Sequence, residues 1–143
     1  MTPEPDQIAA QGKLAFENKK FIEAVELFRQ AADGYTAGRA GLMTAEMKNN
    51  MSVALLQAGK AQEALDAALG TDRLFEDAKD IKRQAMAIGN QAAALDVLNF
   101  YDEAISAYER SAELFGQAGE GDLRAMVMKS AAAIKLKMGR ITD

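Results

Sequence analysis

Three sets of side chains in this 143-residue sequence have types and spacing that could do chemistry. They are the four serines Ser52, Ser106, Ser111 and Ser130, the carboxylates Glu76, Asp77 and Asp80, and the amides Asn50 and Asn90. A serine nucleophile needs a base to take its proton, and the chain has neither histidine nor cysteine, the commonest general base and the best nucleophile. None of the serines sits in a Gly-x-Ser-x-Gly elbow, so all four read as packing or surface residues. The carboxylates lack the Asp-x-Asp-x-Asp-Gly pattern of a calcium loop and read as a solvated helix end. Gly119-Glu120-Gly121 lacks both the spacing of a phosphate cradle and a preceding strand, and reads as a loop. Without cysteine there is no thiolate metal site and no disulfide framework. These absences point away from an enzyme and away from any metal or cofactor.

The amides are different, because they recur. Asn50 and Asn90 are separated by one interval, and the same step leads back to Ala10 and on to Ser130. That interval also separates Ala24, Ala64 and Ala104, and again Tyr35, Phe75 and Phe115, Ala45, Ala85 and Ala125, and Phe28, Ala68 and Tyr108. Phe21, Ala61, Tyr101 and Ile141 keep it as well. A fixed period of this length describes stacked supersecondary units, each completing the core of its neighbour. Both prolines, Pro3 and Pro5, precede the first helical pattern. Within each unit two segments carry apolar residues at three- and four-residue spacing, as in Ala104, Ile105, Tyr108, Ala112 and Phe115. The pattern predicts helix pairs 6–18 with 21–37, 42–58 with 61–76, and 80–98 with 101–117, followed by a terminal helix over 122–138. Lys19, Gly59, Asn99 and Gly139 share the register of the turn, where glycine and asparagine best tolerate a left-handed backbone. The expected architecture is one all-α domain over 1–143, with units at about 6–37, 42–76 and 80–117.

The small and large residues of these units resemble the tetratricopeptide repeat (TPR). Its signature appears as Gly12, Phe21, Ala24, Phe28 and Ala31 in the first unit and as Ala92, Tyr101, Ala104, Tyr108 and Ser111 in the third. It is weaker in the second, with Ser52, Ala61, Ala64, Ala68 and Thr71. The usual repeat is about 34 residues. The longer unit here resembles the variant in kinesin light chains and related scaffolds, as does the stretch Asn49-Asn50-Met51-Ser52-Val53-Ala54-Leu55. HEAT and armadillo repeats are the alternative by length.

The resemblance implies a right-handed α-solenoid with a C-terminal capping helix, whose first helices line a concave groove for a peptide or protein segment. It implies that Asn50 and Asn90 face that groove, where an amide can serve both a peptide carbonyl and a peptide N–H. The other reading is that each asparagine satisfies backbone or neighbouring-helix groups. Lys13, Asn49, Gln57, Asp96, Ser130, Lys129 and Lys137 complete the expected groove set. A carboxylate clamp for chaperone tails is not expected, because Ala9, Met86 and Asn90 stand where its cations would be.

Composition bounds the rest. A net charge of −4 with pI near 5.0 gives no basic surface for nucleic acid, and no apolar run approaches the ~18 residues a membrane helix needs. The sequence therefore reads as a cytoplasmic protein with a protein or peptide partner, no nucleic acid and no membrane. The methionines crowd the first helices and the terminal one, where their flexibility suits cores and adaptable surfaces alike. The terminal helix is apolar on more than one face, with Met126, Val127, Met128, Ile134, Leu136 and Met138 spread around it. A helix of that kind needs cover, so an alternative role is assembly through it, as a homodimer or against a following domain.

Overall fold

The computed structural model of the protein describes residues 4–139. These form eight helices: α1 (Pro5–Glu17), α2 (Phe21–Ala37), α3 (Gly41–Gln57), α4 (Ala61–Ala68), α5 (Thr71–Asp77), α6 (Ile81–Val97), α7 (Tyr101–Gln117) and α8 (Gly121–Lys137). Apart from α4 and α5, which both pack on α3 and α6, consecutive helices pack on one another, giving the right-handed solenoid of antiparallel pairs that the repeat implies. Among the described residues there is no strand, and no helix is long and apolar enough to cross a membrane.

The turns are more regular than the repeat pattern alone suggests. Lys19, Gly59, Asn99 and Gly139 do take positive φ, and so do Arg39, Lys79 and Gly119 between units. The left-handed turn thus recurs at half the repeat interval, and each completed turn uses the same pair of bonds. In the first, Lys20 N donates to Ala15 O at 2.8 Å and Lys19 N to Phe16 O at 2.9 Å, the two bonds of a Schellman motif. Ile141 lies outside the described residues. Only α6 starts with a side-chain cap. There Asp80 accepts from Arg83 N at 3.1 Å and from its guanidinium at 2.9 Å. Burial alone would push the Asp80 carboxyl up, but these two bonds, together with the charges of Arg83 and Lys82, outweigh it and hold the group below its ordinary value.

The core is built from small residues. Ala24, Ala64, Ala104, Ala45, Ala85 and Ala92 are fully buried, and they let helix axes approach closely. Gly12 shows why: a methyl group there would lie 2.7 Å from the Phe28 ring. Ser52 and Ser111 occupy two of the small positions and donate across the helix pair, to Ala64 O at 2.8 Å and Ala85 O at 2.7 Å.

The second unit departs from expectation. In place of one helix over 61–76, the chain breaks after Ala68, where Leu69 is extended and Gly70 turns at φ 84°. The break frees the Ala68 carbonyl, which accepts from Thr71 Oγ1 at 2.7 Å and from Gln91 Nε2 at 3.2 Å. Thr71 in turn accepts from Asn49 Nδ2 at 2.8 Å, and Gln91 also donates to Asp72 at 2.9 Å. A buried polar group needs such partners, and here side chains of α3 and α6 supply them.

Candidate functional site: a concave face with two wells

The first helices of successive units, α1, α3, α6 and α8, lie side by side along one face, and two depressions open on it. The first, of about 210 Å³, lies between α1 and α3 over the Phe28 ring, with Lys13, Phe16, Glu17, Asn50 and Val53 at its rim. The second, of about 220 Å³, lies between α6 and α8 over Tyr108 and Phe115, with Met86, Asn90, Ala93 and Met126 around it. Phe28 and Tyr108 share one register, two repeat intervals apart. The same construction therefore appears twice, each time with an aromatic floor between two first helices. In the middle unit the floor residue is Ala68, and the helices above it are bridged by a hydrogen bond. Asn90 Nδ2 donates to Asn49 Oδ1 at 2.9 Å.

That bridge corrects part of the expected groove set. Asn49 does not line the groove: it is buried, and its amide donates to Ala45 O and Thr71 Oγ1 while accepting from Asn90. Asn90 lies at the rim of the second well, but one of its donors is committed to Asn49. The two amides that look equivalent in the sequence are therefore unlike. Asn50 is half-buried at the first well, and no described residue hydrogen-bonds to its side chain.

Lys13 takes its expected place at the first well. Asp96 and Ser130 gather near the Tyr108 phenol of the second. Burial pushes that phenol above its ordinary value, the Asp96 charge adds to the rise, and a hydrogen bond with Ser130 opposes it. The Ser130 hydroxyl also bonds back to Met126 O at 3.2 Å. Gln57 is exposed and rims neither well. Lys137 lies over the Tyr101 ring at 5.0 Å, away from both. Lys129 is exposed in the register of Ala9 and Asn49, a position that points toward the second helix of a unit and not into the groove.

The aromatic contributors to the wells were not among the residues expected from sequence. Phe16, packed edge-on to Phe21 at 5.3 Å between centroids, and Phe28 build the first. Met86 and Met126 flank the second while remaining well exposed, and of the described methionines only Met47 is fully buried. The readable signal was the Phe28, Ala68, Tyr108 series, in which the middle unit alone lacks a ring. A larger depression, about 450 Å³, lies on the opposite side between α5 and α7, with Asp72, Asp102, Glu103 and Arg110 at its edge. Among the described residues no cluster of three or more carboxylates could hold a metal ion.

The fold is that of a TPR-like solenoid. The chain is similar to the TPR domain of Sgt2 from Aspergillus fumigatus, with a TM-score of 0.75 and 22% identity over 99% of this chain and 85% of that one. It is also similar to BtubC (BKLC) from P. vanneervenii, with a TM-score of 0.67 and 15% identity over 99% of this chain and 68% of that one. Comparison with protein-family models and with curated sequences gave no match.

Proposed function

We propose that the protein is a non-catalytic interaction scaffold that binds a segment of a partner protein along its concave face. Two apolar side chains of that segment enter the two wells, and the free Asn50 amide hydrogen-bonds its backbone. The observation that carries this reading is the duplication of the well, over Phe28 and again over Tyr108. Concave, mostly apolar sites with a few polar groups at the rim are what peptide recognition uses, and the likeness to a TPR domain agrees with it. Lys13 and Glu17 border only the first well, so the polar or charged end of the ligand belongs there.

A displayed library of random peptides, long enough to span both wells and selected against the full chain, tests the reading. Selected peptides are expected to carry two separated apolar residues and to lose at least tenfold in affinity to Val53→Glu and to Met86→Glu. Both positions are exposed, so the variants should fold. Selected peptides that bind both variants as tightly as the parent would contradict a groove-binding role.

A further inference from the structure

We propose that the outward face of α8 is a second, separate binding surface, shaped for an acidic amphipathic helix of another protein. In α6, Ala85, Ile88 and Ala92 form the strip covered by α7, and all three are buried. In α3 the matching Ala45 and Ser52 are buried under α4 and α5, while Lys48, in the register of Ile88, is exposed. The same registers in α8 hold Ala125, Met128 and Ala132, continued by Leu136, and all four are exposed. Met128 is 49% and Leu136 66% accessible. The strip thus keeps the small residues that allow close helix approach, with a large apolar side chain between them and another at the end. It is a first helix displaying the face on which a second helix would lie.

Charge identifies the kind of helix that fits. Every second helix in the described chain is acidic. In α2, Glu23, Glu26 and Asp33 outnumber Arg29, and in α7, Asp102, Glu103, Glu109 and Glu113 outnumber Arg110. Between them, α4 and α5 carry Glu63, Asp66, Asp72, Glu76 and Asp77 against Arg73 alone. By contrast α8 holds Arg124, Lys129, Lys135 and Lys137 against Asp122 alone. Three of these cations already meet the preceding second helix: Lys135 pairs with Glu109 of α7 at 3.3 Å, Lys137 lies over the Tyr101 ring, and the Arg124 side chain lies against Gly116. Lys129 borders the exposed strip without such a partner among the described residues. Two copies meeting face to face through this strip would bring their Lys129 side chains together, and like charges disfavour such a contact. An acidic helix meets both the apolar strip and Lys129 at its margin. Met128 and Leu136 rim neither well, so this surface can fail or succeed independently of the groove.

The probe is a peptide with the α7 sequence, Tyr101–Gln117, held helical by a hydrocarbon bridge on its solvent-facing side and titrated into the full chain by fluorescence anisotropy. Saturable one-to-one binding is expected, weakened at least tenfold by Met128→Glu and by Leu136→Glu, and likewise by replacing the peptide's carboxylates with lysine. Val53→Glu, in the groove, should leave it unchanged. Circular dichroism of each variant checks that the fold is kept. Absence of saturable binding, or binding indifferent to both α8 variants, would overturn the proposal. So would a concentration-dependent dimer of the free chain that Leu136→Glu abolishes, since the occupant would then be a second copy.

Discussion

The outer units and the middle unit solve the same packing problem with different chemistry. Over α2 and α7 a ring, Phe28 or Tyr108, fills the space beneath two first helices and leaves a well above it. In the middle, alanine replaces the ring, the second helix breaks at Gly70, and amides from α3 and α6 take over as the connection. A repeat can therefore keep its register while exchanging apolar filling for a hydrogen-bonded network. The exchange converts an open depression into a contact that holds the array together.

That contrast can be broken at either end, and removing the ring should cost most. Phe28→Ala empties a site that is 3% accessible, and loss of a buried phenylalanine typically costs about 3–5 kcal/mol. Urea denaturation should show that loss. Asn49→Leu attacks the middle unit instead, leaving Thr71 and Asn90 without their partner in a buried setting. About 2–3 kcal/mol is expected by the same assay, whereas Ala9→Leu, at the matching position of the first unit, removes no hydrogen bond. Gly70→Ala should cost about 1–2 kcal/mol. No atom crowds the added methyl group, so that cost is conformational, arising from φ 84°. A fall in thermal midpoint without loss of helix content would register it.

The smallest effect is expected at the N-terminal edge of the first unit. There Tyr35 donates to the Asp6 carboxylate, and that bond, with burial second, pushes the phenol up to about 12. A folded-state value above the unfolded one, near 10, means that the unfolded chain releases the proton first as pH rises. The associated stability is complete below pH ~10 and is lost as pH climbs toward ~12. Tyr35→Phe should cost about 1 kcal/mol at neutral pH, and the gap from the parent should narrow above pH ~10 in parallel denaturation curves.

Most of the fold was legible because the repeat period survives any local ambiguity. Alanines at Ala24, Ala64 and Ala104 fix the helix pairing, and turn residues such as Gly59 and Asn99 fix where each helix stops. The break at Gly70 was less visible, since a lone glycine in a helical pattern is ordinarily tolerated at a cost of ~1 kcal/mol. What decides the matter is long-range: Gln91 and Asn49 stand ready to satisfy the freed groups, and no local pattern announces that. The site was only partly legible for the same reason. Spacing places Asn50 and Asn90 in one register, but their chemistry depends on what lies across the groove, and only Asn90 has an acceptor there. Lys129 and Lys137 belong to helix faces whose orientation rests on how α8 docks on α7.

The side-chain amide protons of the three asparagines give the most direct reading of the two-well account, measured by ¹⁵N-edited hydrogen exchange before and after adding a library-selected peptide. Asn49 and Asn90 should be protected in the free protein and little changed by ligand. Asn50 should exchange freely and become protected on binding. Free exchange at Asn90 equal to that at Asn50, or an Asn50 amide indifferent to every selected ligand, would contradict the account.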